Sequence, residues 1–122
     1  MATKACSCEQ ETCDYCRPFN FDEYQKLSMR SFQPNPHLDV QQSKAILGAI
    51  GLAGEVGECT EPVKKWFFHG KRTAEDVKSE LYEELGDVLW YAAFLADAFG
   101  LSLSDIAKNN VEKLLARYPD RK

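Results

Sequence analysis

Apolar residues recur at helical spacing through most of this chain, and this periodicity restricts the fold more than any other feature. From residue 38 to residue 67 they fall at the intervals that keep side chains on one side of an α-helix. No segment alternates apolar and polar residues for long enough to form a β-strand. The sequence therefore predicts an all-α fold with a helix from about Leu38 to Phe67, which Pro62 should kink or locally break.

Helix start and stop signals predict three further helices. Asn20 is a candidate N-cap for a first helix, Phe21 to Ser31, before the run Gln33-Pro-Asn-Pro36 interrupts the pattern. Thr73 is a candidate N-cap for a helix that ends near Phe99. The other boundaries are Gly100 after that helix, Ser102 or Ser104 as N-cap of a fourth helix, and Tyr118-Pro119 at its end. These elements predict a four-helix-bundle-like domain.

Two pairs of acidic residues interrupt the apolar pattern of the long helices. Glu55 and Glu58 form one pair, and Glu84 and Asp87 form the other. Residues three apart lie about 60° apart around a helix, so both acids of a pair point the same way. Because apolar residues flank the acids, their side chains should point into the core or towards its edge, where an unpaired carboxylate is costly. Four oxygen ligands on two facing helices predict a Mg²⁺ or Mn²⁺ site.

The alternative interpretation is that these acids are ordinary solvated charges. Acidic pairs at this spacing are common on exposed helix faces, and one pair alone would favour that interpretation. Two pairs, each set among apolar residues and glycines, favour the metal site.

Four glycines recur every third residue along the long helix, at positions 48, 51, 54 and 57. Each costs close to 1 kcal/mol inside a helix, so the repeat requires a structural or functional reason. The prediction is a close approach of a neighbouring helix, or of a phosphate, to the bare backbone.

Composition limits the protein class. With 122 residues the chain has room for one hydrophobic core, and 44% hydrophobic residues are enough to form it. A net charge of −4 excludes non-specific binding to a nucleic-acid polymer through a basic surface. The start lacks the apolar region of a signal peptide, and no apolar run is long enough to span a membrane. These features predict a cytoplasmic protein.

The first 18 residues form a cysteine-rich extension before the helical domain, which is predicted to span residues 19–119 and to leave a tail at 120–122. Four cysteines with the pattern C-x-C-x4-C-x2-C suggest a tetrahedral thiolate Zn²⁺ site. They are Cys6, Cys8, Cys13 and Cys16. The alternatives are a thiol-bearing tail without metal and, less favoured, an iron–sulfur cluster; disulfides do not suit the predicted compartment. Cys59, next to Glu58, is predicted to be a small buried hydrophobe.

Three motifs together resemble the MazG-type nucleotide pyrophosphohydrolases of the all-α NTP pyrophosphatase superfamily. They are Gly51-Leu-Ala-Gly-Glu-Val-Gly-Glu58, Glu84-Leu-Gly-Asp-Val-Leu-Trp-Tyr91 and Asn110-x-x-Lys113-x-x-x-Arg117-Tyr-Pro119. Phe21-Asp-Glu-Tyr-Gln25 also resembles the family's first helix. Phosphoribosyl-ATP pyrophosphohydrolases have similar acidic helices, but the start and end of this chain fit the MazG type better.

The resemblance implies Mg²⁺-dependent hydrolysis of a nucleoside triphosphate to the monophosphate and pyrophosphate. It also implies a homo-oligomer, a dimer or a tetramer, whose active sites are completed by neighbouring helices. The alternative is a non-catalytic module on the same fold that binds a nucleotide or a protein. A pure binder has no need of all four acids, which favours the enzyme.

The resemblance also implies roles for individual residues. Metal binding and catalysis fall to Glu55, Glu58, Glu84 and Asp87. Substrate binding falls to Asn110, Lys113 and Arg117, with the cations on phosphate; the alternative is that Lys113 and Arg117 are ordinary solvated charges at a helix C-terminus. Lys65, near the end of the long helix, is a further phosphate candidate. Tyr91 is a candidate for stacking on a base, the alternative for it and the other aromatics being a place in the core. Further candidates are Trp66, Phe67 and Trp90 for the base, and His69 and Lys71 for a loop that closes over substrate.

One departure from the family pattern leaves the general base unassigned. Many relatives have an extra glutamate directly before the first ligand, where this chain has Gly54. Glu83, which precedes the ligand Glu84, is a candidate for that role.

Overall fold

The computed structural model describes residues 19–120, and within that range it contains four α-helices and no β-strand. In chain order they are α1 (Phe21–Met29), α2 (Val40–His69), α3 (Ala74–Ala98) and α4 (Leu103–Arg117). α2 and α3 form an antiparallel hairpin joined by the short loop 70–73, α1 packs on α3, and α4 packs on α1. The predicted all-α, four-helix fold is confirmed. None of these helices is both long and apolar enough to cross a membrane.

Side-chain caps start the helices at the predicted residues. The Asn20 side chain accepts a hydrogen bond from the backbone N–H of Glu23 at 2.9 Å. Thr73 and Asp76 exchange side-chain and backbone hydrogen bonds in a capping box at the start of α3. Ser102, not Ser104, caps α4. Each cap satisfies N–H groups that have no partner within the helix, which is why these boundaries follow from sequence.

Other boundaries differ from the prediction. α1 ends at Met29, two residues short of Ser31, and α2 starts at Val40 behind the cap Asp39. The local break expected at Pro62 is wrong, because α2 is a single helix through that residue. Pro62 is buried, so packing of its apolar ring offsets the hydrogen bond that a proline cannot donate.

The main apolar core lies where α1, α3 and the start of α4 meet. Phe94 is fully buried and contacts the rings of Phe32 and Trp90, with centroids 5.6 and 4.4 Å away. The other core members are Ala93, Ala96 and Leu103, with Tyr24, Met29 and Ala92 packed against them. This core holds one end of the hairpin. At the loop end, Phe67 and Phe68 are exposed.

Two of the four spaced glycines allow α2 to approach α3 closely. A Cβ on Gly48 would lie 2.6 Å from the backbone nitrogen of Leu95. A Cβ on Gly51 would lie 2.3 Å from the ring of Tyr91. The predicted close approach of a neighbouring helix is therefore confirmed at these two positions. Gly54 and Gly57 have no neighbour within 4 Å, so packing within the described residues does not explain them.

Alanine at Gly48 should destabilise the hairpin, because its methyl group would collide with the Leu95 backbone, which cannot turn aside. We expect Gly48→Ala to lower the free energy of unfolding by about 1–3 kcal/mol. Gly57→Ala is the matched control within the same helix, and should raise it by about 0.5–1 kcal/mol because the site is open. Urea denaturation measures both. Stabilisation by both substitutions would contradict the contact between Gly48 and α3.

Candidate metal centre

Three carboxylates from the hairpin helices meet at one edge of the α2–α3 interface. α2 contributes Glu55, and α3 contributes Glu84 and Asp87; oxygens of all three lie within 4.8 Å of one another. The close contact of Gly51 with Tyr91 sets the register of the two helices. Gly51 is one turn before Glu55, and Tyr91 is one turn after Asp87, so this register brings the acids face to face.

Glu84 is the member of the group whose carboxyl pKa is raised by burial and by the neighbouring acids. Partial burial raises the pKa of the Glu84 carboxyl above its ordinary value, and a hydrogen bond with Glu55 raises it further. The charges of Glu55, Glu58 and Asp87 act in the same direction. Two carboxyl groups can share a hydrogen bond only when one of them is protonated. Without a cation, the group therefore favours retention of a proton by Glu84.

Glu58 lies outside the tightest group, although it belongs to the same predicted set. Its side chain is exposed, and its oxygens are not among those within 4.8 Å of one another. Its charge nevertheless acts on Glu84, which shows that the two carboxylates are near each other. Of the four predicted ligands, the structure thus brings three together and leaves Glu58 beside them.

No cation within residues 19–120 pairs with this group. Of the ion pairs formed within residues 19–120, none includes Glu55, Glu84 or Asp87. The strongest candidate pairs lie elsewhere: Lys44 with Asp97, and Arg72 with Glu80. Clustered carboxylate oxygens without a basic partner suit a hard divalent cation such as Mg²⁺ or Mn²⁺. The residues present therefore fit the metal that the acidic pairs predict.

Two neighbours of the group carry no charge at neutral pH. Burial raises the pKa of the Cys59 thiol, and the charges of Glu84 and Glu55 raise it further. Cys59 is half-buried rather than buried as predicted, but it acts as the expected uncharged side chain. Burial also raises the pKa of the Tyr24 hydroxyl. A hydrogen bond with Ser28 lowers this pKa in part, and the charge of Asp87 raises it again. No local signal in the sequence indicates that Tyr24 lies near Asp87.

The predicted base-stacking aromatics occupy different environments. Tyr91 lies against the Gly51 backbone and contacts the Trp90 ring at 4.9 Å between centroids. Trp90 also donates its indole N–H to the Ser31 hydroxyl at 3.2 Å. Its ring is thus held by three contacts, whereas Trp66 is exposed near the loop end of the hairpin.

The predicted phosphate-binding cations lie apart from the acids in this chain. Lys65 lies 3.9 Å from Glu61 in an exposed pair on α2. Asn110, Lys113 and Arg117 are all exposed on α4, which packs on α1. No ion pair within the described residues joins Lys113 or Arg117 to the acidic group. The structure therefore brings the acids together and leaves the α4 residues on a separate surface.

The remaining predicted residues are untested. His69 is the last residue of α2, Lys71 is exposed in the following loop, and Glu83 is exposed on α3. The predicted thiolate site lies outside the described residues. It comprises Cys6, Cys8, Cys13 and Cys16.

Comparison with known proteins gives two curated relatives. The chain is similar to the "Gene 37 protein" of Mycobacterium phage L5, with 41% identity over 70 residues. That match covers 56% of this chain and 60% of the phage protein, so it spans less than two thirds of that relative. It is also similar to "Uncharacterized protein YvdC" of Bacillus subtilis (strain 168), with 38% identity over 73 residues, 55% of this chain and 69% of that protein. No solved structure matches the chain significantly.

The family comparison is more specific. The model of the MazG nucleotide pyrophosphohydrolase domain matches residues 42–122, which is more than half of the chain. The matched part contains both acidic helices and α4. Since the carboxylate group is built entirely from the matched part, site and family agree: this chain belongs to the MazG nucleotide pyrophosphohydrolase domain family.

Proposed function

We propose that this chain is a Mg²⁺-dependent nucleoside triphosphate pyrophosphohydrolase that converts a (d)NTP to the (d)NMP and pyrophosphate. The observation that carries the proposal is the carboxylate group of Glu55, Glu84 and Asp87, with oxygens within 4.8 Å of one another. Family membership supports the same class of reaction. Glu58, one turn beyond Glu55, completes the proposed set of ligands.

In this proposal the four acids hold Mg²⁺, or Mn²⁺, at the edge of the hairpin. The bound cation would neutralise phosphate charge and acidify a water molecule. The water oxygen bonds to the α-phosphorus while the bond from that phosphorus to the α–β bridging oxygen breaks. Pyrophosphate leaves with the bridging oxygen, and the proton of the water passes to a base. Reactions of this kind depend mainly on positioning and charge neutralisation, which a rigid pair of helices provides.

Lys65 is the proposed phosphate contact within the same chain. It follows Glu58 by seven residues, so the two side chains lie on the same side of α2, two turns apart. Its pair with Glu61 is exposed and 3.9 Å long, and such a pair contributes little stability. The ammonium group is therefore free to exchange Glu61 for a phosphate oxygen.

A second copy of the chain is proposed to complete the site. The apolar side of α4 starts at the buried Leu103 but is uncovered further along, with Ile106 43% and Leu114 41% exposed. An amphipathic helix with such an uncovered side indicates a missing partner surface. Lys113 and Arg117 accompany that side, and their charge complements the uncompensated acids of another copy. We therefore propose a homo-oligomer in which α4 of one copy lies over the acidic groove of its neighbour.

The test is pyrophosphate release with Mg²⁺ from a panel of canonical and modified NTPs and dNTPs. The proposal expects turnover of at least one member and none in the presence of a chelator. No release from any member, from a protein that is oligomeric and binds Mg²⁺, would contradict the hydrolase. That outcome would favour the non-catalytic nucleotide- or protein-binding module.

The raised pKa of Glu84 makes metal binding depend on pH in a defined direction. Because the folded state binds this proton more tightly than the unfolded state, the metal-free protein loses stability as pH rises through the raised pKa. Mg²⁺ should displace the proton and add about 2.7 kcal/mol at a hundredfold excess over its Kd. We expect a larger rise in Tm with Mg²⁺ near pH 7.5 than near pH 5.

Thermal denaturation with MgCl₂, and with KCl of matched ionic strength, measures this effect. Calorimetry in two buffers of different ionisation enthalpy should also detect proton release when Mg²⁺ binds near the pKa of Glu84. An equal rise in Tm at both pH values would contradict the assignment of Glu84 as a ligand.

A further inference from the structure

Gln25 on α1 holds the turn between α3 and α4. It is 8% exposed, and both ends of its carboxamide are used. Its Nε2–H donates to the Leu101 carbonyl at 2.8 Å, and its Oε1 accepts from the Leu103 backbone N–H at 2.9 Å. Leu103 is the first residue of α4, so this bond satisfies an N–H that has no partner within the helix.

A second contact strengthens the same connection. The Ser102 hydroxyl, which caps α4, donates to the Asp22 carboxylate of α1 at 2.8 Å. Gly100 enters the turn with a φ of +67°, a conformation that favours glycine. The path from α3 to α4 is thus fixed by Gly100 and by two side chains of α1, Asp22 and Gln25.

Beyond this turn α4 has little support within the chain. Leu103 is buried, but residues 108–120 are all exposed. From Leu103 to Arg117 a helix rises by about 21 Å, so a tilt of about 10° at the turn would move Arg117 by about 4 Å. That displacement exceeds the length of a hydrogen bond. Small changes at the turn are therefore amplified at the residues proposed to bind phosphate.

We propose that Gln25 is a positioning residue that sets the direction of α4, and through it the location of Asn110, Lys113 and Arg117. The effect on substrate rests on the proposed function, but the effect on α4 does not. Gln25 lies far along the chain from the acids and contacts none of the proposed ligands. It acts instead through the helix that carries the phosphate contacts.

The test is Gln25→Met, which keeps the size of the side chain and removes both hydrogen bonds. Hydrogen exchange of the full-length protein, followed by mass spectrometry, should show amides of residues 101–117 exchanging about tenfold faster or more, with α2 and α3 unchanged. A phosphate contact that stabilises the ground state and the transition state equally affects KM and leaves kcat unchanged. In Gln25→Met, KM should therefore rise about tenfold while kcat stays within about twofold of the native value.

Ser28→Ala is the matched control on the same helix. Ser28 is 5% exposed, and its hydroxyl donates to the Tyr24 carbonyl within α1, so its loss leaves the turn intact. Asp22→Ala is a second variant at an exposed position, where loss of folding is not expected. It should accelerate exchange in α4 in the same way, by a smaller factor.

Three outcomes are decisive. Unchanged exchange in α4 of both Gln25→Met and Asp22→Ala would overturn the proposal. So would the same exchange pattern and the same KM in Gln25→Met and Ser28→Ala, because Gln25 would then be an ordinary buried side chain. Selective acceleration in α4 supports the proposal even if the native protein releases no pyrophosphate, in which case only the proposed function fails.

Discussion

Glu84→Gln is expected to reduce kcat/KM for pyrophosphate release on the order of a thousandfold while the protein stays folded. Glutamine has the shape of glutamate but lacks the negative charge that a hard cation requires. Glu84 is also the acid whose carboxyl pKa is raised by burial and by the charges of Glu55, Glu58 and Asp87. The magnitude follows from the part that charge neutralisation plays in phosphoryl chemistry.

The same substitution should stabilise the metal-free protein at neutral pH. It removes one of several carboxylates that repel one another, and glutamine can still donate a hydrogen bond to Glu55. Loss of activity with an unchanged or higher Tm would therefore separate the chemical role of Glu84 from a role in folding. The rise in Tm with Mg²⁺ should be lost in this variant.

Glu75→Gln is the matched control for this prediction. Glu75 lies on the same helix, is exposed, and forms only a surface pair with Lys78 at 3.9 Å. Its substitution should leave turnover unchanged. If Glu84→Gln were as active as Glu75→Gln, the carboxylate group would have no part in catalysis.

Mixing two inactive variants should restore activity if α4 of one copy serves the acids of another. Asp87→Asn removes an acid and should lower kcat, whereas Arg117→Ala removes a proposed phosphate contact and should raise KM. Each should therefore lower kcat/KM at least a hundredfold. In oligomers assembled from equal amounts of both, a site has intact acids with probability one half and an intact Arg117 with probability one half. About one quarter of the sites, and of the native activity, should return.

A second mixture provides the control. Asp87→Asn and Glu84→Gln damage the same side of the proposed site, so no combination of these chains has both acids intact. That mixture should stay inactive after co-refolding. If the mixture with Arg117→Ala also stayed inactive although light scattering showed mixed oligomers, Arg117 would act within its own chain or not at all.

Local sequence signals predicted the helices well. Asn20, Thr73 and Ser102 cap the helices that they were expected to cap, because a capping bond involves residues only a few positions apart. The local break expected at Pro62 did not form, for the opposite reason. The cost of a proline inside a helix is local, but the burial that offsets it depends on the whole hairpin.

The site was predictable in part. The spacing of the acids identified Glu55, Glu84 and Asp87, because residues three apart lie on the same side of a helix, but it did not distinguish Glu58, which lies outside the tightest group. The separation of α4 from the acids was not predictable. Helical spacing shows which residues share a face of a helix, but it does not determine which surface that face contacts. The hydrogen bonds between Gln25 and the α3–α4 turn could not be predicted from the sequence either, since the partners of Gln25 are backbone groups more than 70 positions away.

The open space beside Gly54 has a consequence for the evolution of this chain. Nothing lies within 4 Å of the position that a Cβ would take there, so a Cβ would meet no neighbour within residues 19–120. Gly54 directly precedes Glu55, and it is the position where the family resemblance implies that a further glutamate can stand. Packing of the described helices therefore does not impose glycine here. A single substitution can therefore add a carboxylate beside the proposed metal site without rebuilding the hairpin.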